Sequence, residues 1–429
     1  MNRFSEEKQI ASLVKEIELL TTPKIKVAMF STSTIQGAGY AAFRLFRGLR
    51  DHSAIEPTLF TTVRNHENEV GVKVIKHPSG DGKAWQVKQD PSNSKPGLTI
   101  FTINDHAISN SQLWEWVKDF DVINIHWTAR FLSVENIAYL SNLDKPLVMT
   151  IRDMLPLTGG CHYFHGCEKW KRDCSDCPQL IDNFDNFPQK VLQTKRQEYN
   201  FKNITLVALS QHTKSIIEQV PAFNECRVEV IPNSIETDVF RPYDKVEARK
   251  KLGLPLDRKI IGYVPSFSSE VKGYKEAIEV FDSLKNSCTD APLVMLVGNK
   301  TPADDAISLD KISLGYIADN ERLAIAYSAA DVVIVASLEE TFSNTTAESI
   351  SCGTPVVGFK TGAIPDLVQE GITGYCYDIG DVNGLISGLQ NVLRTSQNPE
   401  ECRSYSNEYL EFSLQAKYYE SLFSELKIK

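Results

Sequence analysis

The chain has 429 residues, of which 42% are hydrophobic and 24% charged, and its formal net charge is −9. This length exceeds one ordinary hydrophobic core, so two domains are expected. The acidic balance argues against nucleic acid as a general partner, because phosphate binding needs clustered Lys and Arg. No run of about 18 apolar residues could span a membrane, and residues 1–20 lack the apolar core of a signal peptide. A cytoplasmic location is therefore expected.

The first half of the chain alternates strand-like and helical stretches. Residues 1–20 have apolar side chains at helical spacing, which predicts a helix packed on its own domain, with membrane contact as the minority interpretation. Strand-like apolar runs follow at 24–32, 58–63, 72–76, 99–103, 121–127, 145–153, 204–210 and 228–231. Gly37 and Gly39 stand between the first strand and a helix, where backbone can approach an anion or a sugar closely. The same pattern also fits an ordinary tight turn.

Polar side chains lie at the ends of two strands of this first half. The strand at 121–127 carries His126 near its end, and the strand at 145–153 carries Arg152 and Asp153. The carboxyl ends of parallel strands are where α/β sheets bind ligands, which makes His126 the leading candidate in this half. A single His at a strand end is otherwise more often a structural hydrogen-bonding group. Arg152 either helps to hold a charged ligand or pairs with Asp153.

A loop at 160–180 is rich in cysteine. It contains Cys161, Cys167, Cys174 and Cys177. In a reducing compartment four close thiols favour a metal over disulfides, so a structural zinc is one expectation. The spacing is not that of a standard zinc finger, and reduced buried cysteines or disulfides remain alternatives.

The second half starts near residue 235 and has its own strand pattern. Strands are predicted at 259–264, 292–299, 312–317, 331–337, 354–359 and 374–378, and the chain ends in a helical stretch from about residue 400. Lys272 stands at a predicted helix start, where its charge could neutralise a diphosphate or simply be exposed.

The stretch 331–366 predicts a compact βαβ unit with two carboxylates, Glu340 and Glu348, near the helix start. Thr345 and Glu348 have the spacing of a capping box, which predicts a helix from about residue 346. Free amides there favour an anion, whereas the carboxylates favour hydroxyl groups. A ligand that carries an anionic group and hydroxyl groups, such as a nucleotide sugar, would satisfy the amides and the carboxylates together. Alternatively, Glu348 only caps the helix and Glu340 is solvated.

These motifs resemble the donor site of the family 4 retaining glycosyltransferases. The resemblance rests on Glu340-x7-Glu348, the segment 352–357 (CGTPVV) and the segment 361–366 (TGAIPD), and it extends over roughly residues 24–410. It implies the GT-B fold, an α/β arrangement of two Rossmann-like, doubly wound domains facing across a cleft. The implied domains are 1–235 on the acceptor side and 236–405 on the donor side, with a helix at 406–429 packing back on the first.

The resemblance also implies roles for individual residues. His126 would orient the transferred sugar, Lys272 would bind the diphosphate, and Glu340 would bind hydroxyls of the donor sugar. The other implied donor-binding residues are Gly37, Gly39, Phe342, Ser343, Asn344, Thr345 and Glu348, the last through the ribose. The family usually has an Arg after the first strand of the second domain, where this chain has Tyr263 or Val264.

The function implied is transfer of a sugar, with retention, from a nucleoside diphosphate sugar to a saccharide or lipid-linked saccharide acceptor. No catalytic metal or other cofactor is expected, because no Asp-x-Asp motif stands where a metal would hold the diphosphate. The cysteine-rich loop resembles one in a subset of bacterial exopolysaccharide glycosyltransferases, which implies a structural or acceptor-facing role for it. A lipid-linked acceptor, as the resemblance implies, would be met at the inner membrane face through peripheral contact. The alternatives are an epimerase or hydrolase on the same fold, a non-catalytic nucleotide-sugar-binding subunit, and a metal-organised interaction module.

Overall fold

The computed structural model describes residues 24–35, 37–63, 65–75, 95, 102, 108–182, 186–264, 270–287, 290–395 and 398–428. The predicted helix at 1–20 and most of the predicted strand at 99–103 lie outside the described residues.

The first sheet contains seven parallel strands in the described part of the chain, in the order β3-β2-β1-β4-β5-β6-β7. The strands are β1 (Ile25–Phe30), β2 (Ile55–Thr61), β3 (Val72–Val74), β4 (Val122–Ile125), β5 (Leu147–Thr150), β6 (Ile204–Ala208) and β7 (Arg227–Val230). The accompanying helices are α1 (Gly37–His52), α2 (Asn110–Val117), α3 (Val134–Ser141), α4 (Phe187–Glu198) and α5 (Gln211–Ile217). The central strands are buried along their whole length, as expected for a parallel sheet that helices cover on both faces.

The second sheet contains six parallel strands, in the order β10-β9-β8-β11-β12-β13. They are β8 (Ile260–Tyr263), β9 (Leu293–Leu296), β10 (Lys311–Ser313), β11 (Val332–Val335), β12 (Val356–Phe359) and β13 (Gly374–Tyr377). The helices are α6 (Lys245–Leu252), α7 (Tyr274–Ser287), α8 (Asn320–Ala329), α9 (Asn344–Ser351), α10 (Ile364–Leu367), α11 (Val382–Arg394), α12 (Pro399–Tyr409) and α13 (Phe412–Ile428).

Both sheets are doubly wound, which confirms the predicted fold class of two Rossmann-like domains. In each, the strand order reverses beside the first strand, between β1 and β4 and between β8 and β11. Ligands of such sheets bind at the carboxyl ends of the strands around this reversal. The loops that follow β1, β4, β8 and β11, together with the first turns of the helices after them, carry most of the predicted site residues.

The last helix returns to the first domain. The predicted terminal helical stretch is interrupted at Leu410 and Glu411, and only α13 beyond this break packs on α1. Its Tyr419 shares a hydrogen bond of 2.8 Å with the hydroxyl of Thr150 on β5, and its apolar face joins the core beneath β1. Within the described residues, no helix is both long and apolar enough to cross a membrane.

Candidate active site

Lys272 and Glu340 meet at the carboxyl ends of β8 and β11. The Lys272 ammonium lies 2.6 Å from the Glu340 carboxylate, and both side chains are mostly buried. They line a cavity of about 30 Å³, room for about two water molecules, together with Tyr263, Val264, Ile334, Val335, Ala336, Ser337 and Thr345. A cation and a carboxylate are thus paired in one pocket at the predicted ligand-binding edge of the sheet.

The loop after β12 fixes the position of Glu340. The hydroxyl of Thr361 accepts a hydrogen bond of 3.2 Å from the Glu340 amide. Gly362 has φ of +55°, and a Cβ built there would lie 2.6 Å from the Glu340 Cβ. The backbone of the 361–366 segment therefore needs glycine to pack against Glu340.

The helix that follows Glu340 starts earlier than predicted. Its N-cap is Ser343, with φ of 82°, and the Ser343 hydroxyl accepts from the amide of Thr346. The predicted cap at Thr345 and helix start at about 346 are therefore wrong. Phe342 is buried in the core, whereas Asn344 and Thr345 form the first turn, whose amides have no acceptor within the helix. The positive end of α9 lies next to Glu340, and Thr345 lines the cavity.

Glu348 does not cap α9. Its carboxylate accepts a hydrogen bond of 3.1 Å from the Tyr327 hydroxyl and lies 3.6 Å from the guanidinium of Arg44 in the first domain. Burial raises the pKa of Glu348 to about 7, although Arg44 and Tyr327 act in the opposite direction. The interpretation as a helix cap is therefore wrong, and Glu348 belongs to a contact between the two domains.

Arg44 is the centre of that contact and is only 1% exposed. Its guanidinium lies 2.6 Å from the Glu236 carboxylate, although the angle is too poor for a hydrogen bond and the contact is an ion pair. It also stacks over the ring of Tyr40, whose hydroxyl donates to Glu236. Asn320, in the second domain, donates in turn to the Tyr40 hydroxyl at 2.7 Å. One buried cation of the first domain thus pairs with Glu236, where the chain enters the second domain, and with Glu348 of the second domain.

His126 is buried where β4 ends, with 4% of its surface exposed. Its Nδ1 faces the guanidinium of Arg152 at 3.2 Å. Arg has only donors, so Nδ1 must accept and the neutral ring carries its proton on Nε2. Burial, followed by the charge of Arg152, holds the His126 pKa well below its usual range. The Nε2 atom is buried without a hydrogen-bond partner among the described residues, so it is a donor available to a ligand.

Arg152 does not pair with Asp153. Its guanidinium donates to Asn233, whose amide donates to Asn344 of the second domain. Asp153 instead accepts from the ring of Trp127 at 2.7 Å and pairs with His162. Arg152 therefore fixes His126, and Asp153 organises a separate buried network.

The glycines after β1 lie at the start of α1. Gly37 is its first residue and has φ of +27°, with open space around its Cα. A Cβ on Gly39 would lie 2.7 Å from the carbonyl oxygen of Ser33, so only glycine allows the helix to start this close to β1.

The cysteine-rich loop holds Cys161, Cys167, Cys174 and Cys177 as free thiols. Burial raises the pKa of Cys161 well above its usual range, and raises that of Cys174 to about 11. Within the described chain, no group of three or more His, Cys, Asp or Glu side chains is arranged so that it could hold a metal ion. The zinc at this loop stays a prediction.

Glu339 is a contact residue that the sequence did not predict. Its carboxylate accepts hydrogen bonds from the backbone amides of Phe164, at 2.7 Å, and His165, at 2.6 Å. These amides belong to the cysteine-rich loop of the other domain. Beyond its place next to Glu340, nothing in the sequence marks Glu339, because its partners are backbone groups 175 and 174 residues away.

The β11–α9 loop makes further contacts with the first domain. Its Thr341 donates through its hydroxyl to the Arg152 carbonyl at 3.0 Å. The Thr341 carbonyl accepts from the hydroxyls of Ser210 and Thr213 at the start of α5. The loop that carries Glu339 and Glu340 is thus also held by the opposite domain.

Comparison with known proteins gives a family match for the second domain. Residues 244–409 match the family model of glycosyl transferases group 1. The D-inositol 3-phosphate glycosyltransferase of Mycobacterium avium (strain 104) is 30% identical over 182 residues, which is 39% of this chain and 41% of the relative. The relative of Mycobacterium bovis (strain BCG / Pasteur 1173P2) is 28% identical over 187 residues, 40% of this chain and 37% of that protein. The match spans about two fifths of each relative's length.

Solved structures match nearly the whole chain and show the fold. Sucrose-phosphate synthase from Thermosynechococcus elongatus aligns with a TM-score of 0.64 at 17% identity, covering 94% of this chain and 99% of that one. HepE of Anabaena, in complex with UDP-glucose, aligns with a TM-score of 0.64 at 15% identity, covering 94% and 100%. The chain therefore has the GT-B fold, as predicted.

Proposed function

We propose that this protein is a retaining glycosyltransferase of family 4 that transfers a sugar from a nucleoside diphosphate sugar to an acceptor hydroxyl. The observation that carries the proposal is the pairing of Lys272 with Glu340 beside the N-terminus of α9. A cation and a helix N-terminus suit a diphosphate, and a carboxylate suits sugar hydroxyls. The match of residues 244–409 to glycosyl transferases group 1 supports the same conclusion.

Each side chain would have one task. Lys272 and the first-turn amides of α9 would stabilise the departing diphosphate, an electrostatic role that contributes about 3 kcal/mol for one strong contact. Glu340 would release Lys272 to the diphosphate and accept from sugar hydroxyls. His126 would donate from Nε2 to the sugar across the cleft, and Glu348 would accept from the ribose once Arg44 moves aside.

In the proposed front-face step, the bond from the anomeric carbon to the diphosphate oxygen breaks. The acceptor oxygen bonds to the same face of that carbon, and its proton passes to the leaving phosphate oxygen. The configuration is retained, and the step needs no protein nucleophile and no metal ion.

A thermal-shift screen tests the proposal. The protein is heated with UDP, GDP, ADP and their common sugar conjugates, beside Glu348→Gln and a control, Glu370→Gln, whose exposed carboxylate lies outside the site. A ligand at a hundredfold its dissociation constant stabilises by about 2.7 kcal/mol, which is easily seen. We expect one base to stand out, with the response weakened only in Glu348→Gln. No response to any nucleotide would refute the donor site.

A non-catalytic nucleotide-sugar-binding subunit is the second candidate. Tyr263 and Val264 line the cavity where the family has an Arg, and neither can make a bidentate phosphate contact. Release of the nucleoside diphosphate in the presence of acceptor would exclude this candidate. Binding without any release would favour it.

The acceptor is proposed to be a saccharide or lipid-linked saccharide of bacterial polysaccharide biosynthesis, met at the inner membrane face by peripheral contact. The resemblance of the cysteine-rich loop supports this proposal. Transfer of radiolabelled sugar into a lipid extract, compared with a water-soluble saccharide pool, distinguishes the two acceptor classes.

A further inference from the structure

The carboxylate of Glu339 is bound by a backbone nest in the opposite domain. His165 has φ of 50°, and a left-handed residue that follows a residue of negative φ directs the neighbouring amides toward one point. The amides of Phe164 and His165 donate to the two different carboxylate oxygens of Glu339. Hydrogen bonds to an ionised carboxylate are stronger than those between neutral groups.

The nest is supported from behind by the rest of the cysteine-rich loop. The side-chain amide of Gln179 donates to the carbonyls of Tyr163 and Phe164, at 2.8 and 3.2 Å. The ring of Trp170 stacks on that of Phe164, with centroids 4.4 Å apart. The amides that face Glu339 are therefore held in place by contacts within their own domain, which do not involve Glu339.

On the donor side, Glu339 is rigidly joined to the paired Lys272 and Glu340. Val271, next to Lys272, accepts from the amides of Leu338 and Glu339 through its carbonyl. Across the contact, burial first, and then the charges of Glu340, Asp153 and Glu339, raise the pKa of Tyr163. Through the amides of Phe164 and His165, the cysteine-rich loop thus lies against Glu339, the residue next to the carboxylate that would bind the sugar.

We infer that Glu339 is a positioning residue whose carboxylate, bound by the amides of Phe164 and His165, fastens the cysteine-rich loop to the second domain. The fastened loop forms a wall of the donor site, at the end where the sugar would bind. The role of this wall rests on the proposed function, whereas the fastening itself does not. The contact must break whenever the domains separate at this point. While it is made, the wall excludes water from the sugar.

Hydrogen exchange of the full chain, followed by mass spectrometry, tests the fastening without any ligand. In Glu339→Gln, which lacks the charge, we expect peptides spanning 161–168 to exchange about tenfold faster or more, because a charge-assisted bond no longer opposes local opening. Glu339→Asp, which keeps the charge, should recover part of the protection. Glu270→Gln removes an exposed carboxylate near His165 and should match the unmodified protein. Equal exchange in all four proteins would overturn the inference.

Donor hydrolysis tests the wall. UDP-glucose is supplied without acceptor, and release of UDP is measured. In Glu339→Gln we expect kcat for hydrolysis to rise while the KM for UDP-glucose stays within about twofold, because water gains access but the donor contacts persist. A fall in kcat with a raised KM would overturn the wall and indicate a merely structural role. No UDP release from any variant, the unmodified protein included, would overturn both UDP-glucose as the donor and the wall around its sugar, whereas the fastening is decided separately by the exchange result.

Discussion

Replacing Glu348 by Gln should change how stability depends on pH. Burial raises the pKa of Glu348 from 4.5 to about 7. A carboxyl group with a raised pKa binds its proton more tightly in the folded state, so stability is highest when the group is protonated. It is lost as the pH rises from about 4.5 through 7. At about 1.4 kcal/mol for each pH unit, the loss is about 3 kcal/mol.

The assay is urea unfolding at pH 5, 6, 7 and 8, for the unmodified protein and for Glu348→Gln. Other titrating groups cancel in the difference between the two free energies of unfolding. We expect that difference to move in favour of the variant by about 2.5 kcal/mol between pH 5 and pH 8, since the remainder of the loss falls below pH 5. Glu370→Gln, at an exposed carboxylate, should show no such trend.

A difference that stays constant with pH would refute the reasoning. It would mean that Arg44, which lies 3.6 Å from Glu348 and is shared with Glu236, and the hydroxyl of Tyr327 fully compensate the burial of the carboxylate. The free energy of the contact between the domains would then be independent of pH in this range.

Four further predictions concern other contacts. Arg44→Met leaves buried carboxylates without a cation and should lower the free energy of unfolding by about 3–5 kcal/mol. The measurement is urea unfolding at pH 7, where an unchanged value would show that the ion pairs are dispensable. His126→Gln should keep the melting temperature but reduce kcat about a hundredfold or more. Because the pKa of His126 is depressed, its titration should not alter the kcat of the unmodified protein between pH 6 and 8. Tyr419→Phe removes the bond from α13 to Thr150 and should cost about 1–3 kcal/mol, so unaltered thermal stability would contradict that bond. Metal analysis tests the zinc prediction: one zinc per chain, lost in the Cys174→Ser and Cys177→Ser variants, would support it, and a metal-free protein would favour reduced thiols.

The sequence was sufficient for the fold because its signals are local. Each strand is a short apolar run, and turn residues separate the runs, so strands and their alternation with helices follow from neighbouring residues. The sequence also placed Lys272 and Glu340 near predicted helix starts, in loops that follow strands, and a parallel sheet brings such loops together at one edge.

The contacts between the domains could not be predicted in this way. Arg44 and Glu348 are far apart in the chain, and their proximity depends on how two sheets face each other. The nest that binds Glu339 consists of backbone amides, which carry no mark in the sequence. The start of α9 was misplaced because Ser343 adopts a left-handed conformation that is uncommon outside glycine.

The break before α13 determines how the two domains can move. The chain passes from the first domain to the second near Ile235 and returns near Glu411, and these two passages lie side by side, joined by the bond from the Ile235 amide to the Leu410 carbonyl at 2.8 Å. Two adjacent chain passages allow the domains to rotate about a common axis but resist sliding or twisting of one domain against the other. We therefore expect any opening of the cleft to be a hinge rotation about this double connection, which would separate Glu339 from the cysteine-rich loop and bring the same groups back together on closing.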